Sequence, residues 1–292
     1  MNAVQRLLIV SGLSGAGKSV ALHVLEDIGY YCIDNLPAAL LESLLQNLTG
    51  EDASLSRIAV GVDARNPEQD LQSLPDVVQT IRSSGVQTEI LFLQADDDIL
   101  LKRYSESRRR HPLAGGGVEL RDAIQRERDL LGPVINAADL VIDTSRTSIY
   151  ELGDLIRERV DRRKPQMLSV LVESFGFKNG IPADVDFVFD MRCLPNPYWQ
   201  PKLRPLTGLD AAVIEFLDND PRCQAMYADV VAFFRRWIPE YVSFNRRYLT
   251  IGIGCTGGQH RSVYMAEKLA AALRELHESV MTRHSELNVR KG

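Results

Sequence analysis

The sequence predicts an α/β protein of two domains. The first is a P-loop NTPase (kinase-like) domain with a parallel, doubly wound sheet, and the second is another α/β domain. Short apolar runs alternate with helical patterns through the first half of the chain, which favours a parallel sheet covered by helices. One glycine-rich loop follows the first apolar run, and a second glycine-rich loop interrupts the second half.

The first loop fits the phosphate-binding pattern G-x-x-x-x-G-K-[ST] without a mismatch. Glycines let main-chain N–H groups close around a polyphosphate. Lys18 can reach the β and γ phosphate oxygens, and the Ser19 hydroxyl can ligate Mg²⁺. The structural alternative is a glycine turn that happens to match the pattern. The predicted nucleotide-binding residues here are Gly12, Leu13, Ser14, Gly15, Ala16, Gly17, Lys18 and Ser19.

The residues on both sides of this loop support the prediction. Residues 7–10 form a continuous apolar run, as expected of a strand buried on both faces. After the loop, Val20, Val24 and Ile28 recur at helical spacing, and Gly29 stands where a helix would stop. The partial positive charge at the start of that helix would then point at the phosphates.

Four more apolar runs predict the remaining strands of the first domain, at residues 30–33, 58–62, 89–93 and 140–145, with a helix over 38–48. Asp34 follows the second strand, and Asp63-Ala64-Arg65-Asn66 follows the third. An acid at the end of a buried strand is what a Walker-B-like site needs to hold Mg²⁺, so Ser19 and Asp63 are the predicted metal ligands. Capping of a turn is the alternative role for both acids.

A basic segment follows the fourth strand. Its predicted helix carries Lys102 and Arg103 and continues into three arginines at 108–110. Arginines of such a lid stabilise charge on the transferred phosphoryl group in P-loop phosphotransferases, while a solvated basic face is the alternative. A further basic run ends at Pro165, which indicates a linker. We therefore expect domains at residues 1–165 and 166–292.

The composition is that of a globular protein, with 45% hydrophobic and 25% charged residues in a chain of 292. The sequence has no apolar run of membrane length, and the four cysteines show no C-x-x-C spacing. Because residues 11–19 already form a functional loop, no signal peptide is expected. These features predict a cytoplasmic protein without a membrane role. Residues 222–292 carry 11 basic and 6 acidic side chains, which is compatible with an anionic partner.

The second half has predicted strands at residues 168–172, 185–190 and 249–254. The third strand leads into a loop of residues 255–262 and then a helix with apolar positions through Leu276. Glycines, an arginine and a helix start indicate a second anion site. The spacing C-x₅-R-[ST] is also that of cysteine phosphatases, but those enzymes place a histidine where this chain has Gly254.

Two segments interleave arginines with aromatic residues, at 233–237 and 244–248. Bases stack on aromatic rings while arginine contacts phosphate, so single-stranded RNA would suit them. An amphipathic helix with aromatic core positions is the alternative, and the pattern favours it. The C-terminal tail adds the positive charge of Arg283, Arg290 and Lys291 beside His284.

Taken together, these motifs resemble those of one family along essentially the whole chain: the RapZ-type RNase adapter proteins. Besides the two glycine-rich loops, the resemblance rests on segments at residues 31–37, 63–66, 173–178, 194–197 and 202–205. The resemblance implies binding of ATP and GTP with weak ATPase and GTPase activity. Residues 12–19 would serve ATP, and Asp63, Ala64, Arg65 and Asn66 would serve GTP.

The resemblance also implies a regulatory role. The best-studied members bind a small regulatory RNA through the C-terminal domain and present it to ribonuclease E, which lowers synthesis of glucosamine-6-phosphate synthase. The domain itself senses glucosamine-6-phosphate, and such proteins look like homotetramers. Carried over to this chain, the phosphosugar pocket would comprise Lys178, Asp190, Arg192, Cys255, Thr256, Gly257, Gly258, His260, Arg261 and Ser262.

One departure from that family concerns the tail. RNA-binding members end in a denser basic cluster than residues 289–292 of this chain, although Arg283, Arg290 and Lys291 remain the expected RNA contacts. The sequence therefore supports two main hypotheses. One is an RNA-binding adapter regulated by a nucleotide and a phosphosugar; the other is a P-loop small-molecule kinase that uses Asp34 and the arginines at 108–110.

Overall fold

The computed structural model describes residues 6–48, 56–107, 110–114, 117–161, 167–244 and 246–287. The chain divides into two compact units, Met1–Arg162 and Arg163–Gly292, and each is treated by itself below. The linker expected near residue 165 lies outside the described residues. No described helix combines the length and the apolar character needed to cross a membrane.

The first unit is built on one five-stranded sheet in which every pair of neighbouring strands is parallel. Its strands are β1 (Arg6–Gly12), β2 (Tyr31–Ile33), β3 (Arg57–Gly61), β4 (Gln87–Gln94) and β5 (Leu140–Asp143). The order across the sheet is β2-β3-β1-β4-β5. Strands β1, β3 and β4 are buried because both faces of a parallel sheet are covered, whereas the edge strand β2 is exposed or half-buried. The predicted fold class of this domain is confirmed.

Seven helices accompany this sheet among the described residues: α1 (Lys18–Asp27), α2 (Leu41–Leu48), α3 (Glu68–Ser83), α4 (Asp97–Ser107), α5 (Leu120–Leu130), α6 (Gly132–Asn136) and α7 (Ile149–Ile156). A 3₁₀ turn, Ala38–Leu40, precedes α2 and a π turn, Arg157–Asp161, follows α7. Strand β1 lies between β3 and β4, where the strand order reverses, so ligands are expected beside its carboxyl end.

The second unit contains a four-stranded sheet that is also parallel throughout. Its strands are β6 (Ser169–Gly176), β7 (Phe187–Asp190), β8 (Tyr248–Cys255) and β9 (Val280–His284), in the order β7-β8-β6-β9. The helices are α8 (Ala211–Asp218), α9 (Pro221–Ser243) and α10 (Arg261–Arg274). The predicted second α/β domain is therefore confirmed. Helix α10 ends before Leu276, which is 46% exposed.

Two of the three aromatic residues in the segment at 233–237 pack in the hydrophobic core of this unit, and the third, Trp237, is 41% exposed. Phe234 is buried in α9, and the rings of Phe233 and Phe234 pack against Phe187 and Phe189 of β7 at centroid distances of 5.5 to 6.0 Å. This is the arrangement that an amphipathic helix with aromatic core positions predicts. These two rings are therefore not available to stack on nucleic-acid bases.

Candidate functional site

The loop of residues 12–19 joins β1 to α1 at the carboxyl edge of the first sheet. Its start is packed directly against β4. Gly12 has φ +137, and a Cβ at that position would collide with the Leu93 carbonyl, so only glycine fits. The Leu13 N–H donates to the Leu93 oxygen at 2.9 Å. The loop is thus held in place by the neighbouring strand before it turns into the helix.

An open cavity of about 590 Å³ adjoins this loop. That volume lies in the range of small-molecule and cofactor pockets. The loop, the two acids predicted at the strand ends and the basic lid segment all contribute to its wall. The lining residues are Ser14, Gly15, Gly17, Lys18, Ser19, Val20, Asp34, Asp63, Arg65, Arg103, Tyr104, Ser107, Arg110 and Pro112.

Lys18 provides the cation of the loop. It is the first residue of α1, and its Nζ donates to the Gly12 carbonyl oxygen at 2.6 Å. Burial lowers the pKa of the Lys18 amine from its ordinary value, against the raising effect of the nearby carboxylates of Glu127 and Asp63. Because desolvation disfavours the ammonium ion, an anion in the cavity would stabilise the charged form of Lys18.

Ser19 and Asp63, the predicted magnesium ligands, both line the cavity. Ser19 is exposed, whereas both carboxylate oxygens of Asp63 accept hydrogen bonds from Arg65, at 2.7 to 3.1 Å. Burial opposes ionisation of Asp63, but the hydrogen bonds from Arg65 and the charge of Lys18 outweigh it, and the pKa is lowered. Magnesium in such sites takes most of its ligands from water and phosphate, so the two oxygen donors fit the ion if Arg65 releases Asp63.

The rest of the predicted segment at 63–66 is divided between two roles. Arg65 faces the cavity, and Ala64 is buried. Asn66 is also buried, and its side chain accepts from the Ala38 N–H at 2.7 Å and donates to the Asp63 carbonyl at 3.1 Å. Asn66 therefore holds the turn in shape, and Asp63 and Arg65 are the members of the segment that can reach a ligand.

The basic lid segment reaches the loop through Arg103. Its guanidinium donates to the Gly15 carbonyl at 3.0 Å and to the Thr144 carbonyl at 2.6 Å. Arg110 lines the cavity, and the other two arginines of the predicted lid, at 108 and 109, lie outside the described residues. Arg103 thus fixes the loop to the end of β5, while Arg110 is placed to face a ligand.

Several residues of this site were not predicted from the sequence, and three of them bind or flank the loop. Thr144 and Tyr104 lie at the loop and the cavity wall, and the buried Glu127 binds Ser14. Within the charged stretch of α5, Glu127 occupies the helical position after the buried Ala123 and Ile124. An acid on an apolar helical stripe is the signal that could have revealed it.

The second glycine-rich loop, residues 255–262, lies at the carboxyl edge of the second sheet. The strand register aligns Gly176 with Cys255 and Asp190 with Gly254. Three parallel strands therefore end side by side, and the segments that follow them meet. This brings together all the predicted phosphosugar residues: Lys178, Asp190, Arg192, Cys255, Thr256, Gly257, Gly258, His260, Arg261 and Ser262.

Arg261 is buried at the first turn of α10, where it acts as a clamp. Its Nη1 donates to the carbonyls of Arg192 and Leu194, both at 3.0 Å, and Nη2 lies 3.5 Å from the Thr256 hydroxyl. Its Nε has no hydrogen-bond partner among the described residues. A buried guanidinium N–H without a partner is costly. A guanidinium carries five N–H donors, so the Nε N–H and the second N–H of Nη2 are not engaged by these contacts and are left for an anion.

Cys255 and Gly254 test the phosphatase interpretation of the loop. Cys255 is 3% exposed, and its Sγ lies 3.1 Å from the Ser262 hydroxyl. A Cβ at Gly254 would collide with the rings of Phe175 and Phe177. The histidine that cysteine phosphatases carry before the nucleophile therefore has no room here, and the thiol is almost inaccessible, which argues against nucleophilic catalysis.

The remaining predicted residues differ in accessibility. Arg192 binds the Asp190 carboxylate through two nitrogens, and its guanidinium lies 4.0 Å from the centre of the Phe177 ring. Hydrogen bonds from Arg192 lower the pKa of the Asp190 carboxyl. Lys178 is exposed, and its main-chain N–H donates to the Thr256 carbonyl at 3.2 Å. His260 is buried and bonded to the Leu203 carbonyl at 3.2 Å.

The predicted RNA contacts of the tail are only partly described. Arg283 lies in β9, in register with Glu173 of β6, so it belongs to the sheet of the second unit. Arg290 and Lys291 lie outside the described residues.

Comparisons with known proteins agree on one family. A family model described as the RapZ-like N-terminal domain matches residues 5–164, and one described as the RapZ C-terminal domain matches residues 168–288. A nucleotide-binding protein of Halorhodospira halophila is 54% identical over 284 residues, covering 97% of this chain and 99% of the relative. One from Alkalilimnicola ehrlichii is 50% identical over 284 residues, covering 97% of this chain and 98% of the relative.

Among solved structures, a shikimate kinase from Bacteroides thetaiotaomicron resembles part of the chain. The match covers 52% of this chain and 96% of the kinase, with 17% sequence identity and a TM-score of 0.35. A shikimate kinase from Acinetobacter baumannii matches 54% of this chain and 93% of that chain, at 18% identity and a TM-score of 0.32.

Proposed function

Because the chain belongs to the RapZ family, we propose that it is a nucleotide-binding regulatory protein. In this proposal the first unit binds ATP or GTP with Mg²⁺ and hydrolyses them weakly. The second unit senses glucosamine-6-phosphate and binds a small regulatory RNA. The protein then presents that RNA to ribonuclease E in the cytoplasm, as a homotetramer, and so controls aminosugar synthesis after transcription.

The single observation that carries the nucleotide part is the cavity at residues 12–19. It brings a phosphate-binding loop, the Lys18 amine and two candidate magnesium ligands to one wall. A bound magnesium ion would neutralise charge on the phosphates. Ser19 and Asp63 would hold it, Lys18 would bind phosphate oxygens, and Arg65 would alternate between Asp63 and the nucleotide.

The glucosamine-6-phosphate part is supported by the second loop. Arg261 has one buried N–H without a partner among the described residues, at the N-terminus of α10. Helix starts and guanidinium groups favour phosphate. Asp190 is the last residue of β7, and Lys178 lies just after β6. The Asp190 carboxylate would suit the ammonium group of an aminosugar.

The RNA part is supported by charge. Residues 222–292 hold 11 basic against 6 acidic side chains, whereas the whole chain has a net charge of −5. Lys and Arg side chains that neutralise phosphates make nucleic-acid affinity fall steeply with salt. A basic C-terminal segment in the second unit, on a chain of negative net charge, therefore favours an RNA partner for that segment.

The test is a gel-shift titration of the full chain with structured small RNA across a salt series. We expect retention at low salt that weakens steeply as salt rises, and release or tightening of the RNA when glucosamine-6-phosphate is added. Absence of any RNA retention at low salt would contradict the adapter role, while leaving nucleotide binding to be measured separately with Mg²⁺-ATP.

A P-loop small-molecule kinase is the second candidate, because Asp34 and Arg110 both line the cavity. An acid could accept a hydroxyl proton from an acceptor substrate, and an arginine could stabilise the transferring phosphoryl group. Incubation with labelled ATP and a panel of aminosugars and nucleosides tests it. A phosphorylated product formed faster than free phosphate would favour the kinase, and slow hydrolysis alone would exclude it.

A further inference from the structure

Glu127 is a fully buried carboxylate beside the nucleotide loop. It lies in α5 with a side chain that is 0% exposed. Its Oε2 accepts from the Ser14 main-chain N–H at 2.9 Å, and its Oε1 accepts from the Ser14 hydroxyl at 2.6 Å. Burial of a carboxylate is costly unless its oxygens are hydrogen-bonded. Glu127 therefore depends on the loop for its partners, and the loop is fastened to α5 by it.

The same carboxylate binds the end of the lid segment. The Nδ1 of His111 accepts from the Leu113 N–H at 3.1 Å, so the imidazole proton is on Nε2. That Nε2 lies 3.1 Å from Glu127 Oε2 and donates to it. The His111 ring also packs on Tyr104 of α4, with centroids 5.3 Å apart. Glu127 thus connects the loop to the segment of His111 and, through the His111 ring, to α4.

We propose that Glu127 is a positioning residue for nucleotide binding, which holds Ser14 and His111 so that the loop and the segment of Arg110 and Pro112 form one preorganised phosphate site. The inference rests on the proposed nucleotide function of this unit. Glu127 does not line the cavity and so acts through Ser14. Its pKa supports this role: burial opposes ionisation, yet the hydrogen bonds from His111 and Ser14 and the charge of Lys18 lower the pKa, and the carboxylate stays charged.

The opposite role would be competition, in which the carboxylate occupies a loop N–H that a phosphate needs. The burial argues against it. A phosphate that displaced Glu127 from both Ser14 donors would leave Oε1 without a hydrogen bond and Oε2 with His111 alone in a dry site, at a large desolvation cost. The two roles predict opposite effects when the charge is removed, which makes the proposal testable.

The experiment compares full-length variants in calorimetric titrations with Mg²⁺-ATP and in steady-state ATP hydrolysis. For Glu127→Gln we expect affinity to fall about 10- to 100-fold, the range for loss of a charged hydrogen bond. For Ser14→Ala, which keeps the main-chain contact, we expect a loss of about threefold. The double variant should resemble Glu127→Gln alone because the two changes act on the same contact, the one between Ser14 and Glu127. Asp122→Asn, exposed on the same helix, is the matched control and should bind like wild type.

The outcomes separate this inference from the function on which it rests. If wild type bound no nucleotide, the proposed function would fail. If wild type bound and Lys18→Ala did not, but Glu127→Gln bound like wild type, the positioning role would be overturned. Tighter binding by Glu127→Gln would identify a competitor and overturn it as well. Should Glu127→Gln fail to fold, His111→Phe is the second variant, because it keeps an aromatic ring beside Tyr104 but removes the Nε2 donor to Glu127. Unchanged affinity for Mg²⁺-ATP in that variant would refute the proposal.

Discussion

The two glycine-rich loops occupy the same kind of place but use their cations differently. Each follows a strand at the carboxyl edge of a parallel sheet and opens a helix. At residues 12–19 the cation is Lys18, which lines an open cavity and makes one hydrogen bond to its own loop. At residues 255–262 it is Arg261, which is 4% exposed and binds two carbonyls of a neighbouring segment.

The difference shows that a glycine-rich loop at the start of a helix can place its cation in two ways. Lys18 is placed in a cavity where its charge is poorly solvated, as its lowered pKa indicates, so it gains most when an anion arrives. Arg261 already stabilises the fold through Nη1, and among the described contacts its Nε and one N–H of Nη2 are not engaged. The first loop lines an open cavity, whereas the second loop supports residues 192–194 through Arg261.

The largest expected effect is on the first loop. Lys18→Ala should weaken Mg²⁺-ATP binding by about 100-fold or more, because charged hydrogen bonds to phosphate are lost. Binding of glucosamine-6-phosphate should not change, since the loop at 255–262 is untouched. Calorimetric titration with each ligand measures both. Loss of both affinities in this one variant would mean that the two loops are not separate sites.

Thermal stability should depend on the second loop more than on the first, the reverse of the effect on ATP binding. Arg261→Ala leaves the Arg192 and Leu194 carbonyls without their donor, at about 1–3 kcal/mol for each unsatisfied group, and should lower the unfolding temperature by several degrees. Lys18→Ala should leave it unchanged or slightly raised, because the amine is destabilised by burial. Differential scanning calorimetry of both variants is the measurement, with Arg235→Ala, which removes an exposed cation of α9, as the control. Equal unfolding temperatures for the two variants would contradict the clamp role.

A smaller effect concerns magnesium at the first loop. Arg65→Ala would release both oxygens of Asp63, which Arg65 holds at 2.7 to 3.1 Å. The Mg²⁺ concentration for half-maximal ATP binding should therefore fall about two- to fivefold, the range expected for an exposed ion pair. Arg146→Ala, in the same unit but not among the residues that line the cavity, serves as the control. A higher magnesium requirement would indicate that Arg65 supports the ion rather than competing with it.

The smallest effect is a pH dependence of the second unit. Burial lowers the pKa of His260, against the raising effect of the carbonyls that it faces, and burial also lowers the pKa of His277. The unfolded chain then binds protons more readily, so stability is complete above the ordinary histidine pKa near 6.5 and falls as the pH drops below it. Urea unfolding between pH 5 and 8 should show this slope, and His260→Gln should reduce it. An identical slope in the variant would show that His260 does not cause the pH dependence of stability.

Much of this architecture could be predicted because buried parallel strands leave continuous apolar runs. Strands β1, β3, β4, β6 and β8 are almost wholly buried, whereas β2 and β7 carry short apolar runs that are only partly buried. Strand β9 has the sequence VMTRH and pairs with β6 alone. Only its first two residues are apolar, so no apolar run marks it. An edge strand of this kind forms because it pairs with a neighbouring strand, and the local sequence does not show that pairing.

The site was predictable in its residue types but not in its contacts. The loop at 12–19 is encoded locally, since glycine, lysine and serine at fixed spacing suffice. The pairing of Asp63 with Arg65, the two carbonyls bound by Arg261, and the burial of Glu127 each depend on where the side chains lie in the folded chain. Glu127 is 113 residues from Ser14 in sequence, and only the fold brings them together.

The most direct test of two separate anion loops is hydrogen–deuterium exchange of the full chain with each ligand in turn. Mg²⁺-ATP should slow exchange in peptides that cover residues 12–19 and leave 255–262 unchanged. Glucosamine-6-phosphate should slow exchange at 255–262 and leave 12–19 unchanged. Protection of the same peptides by both ligands, or of neither loop by its own ligand, would contradict the account.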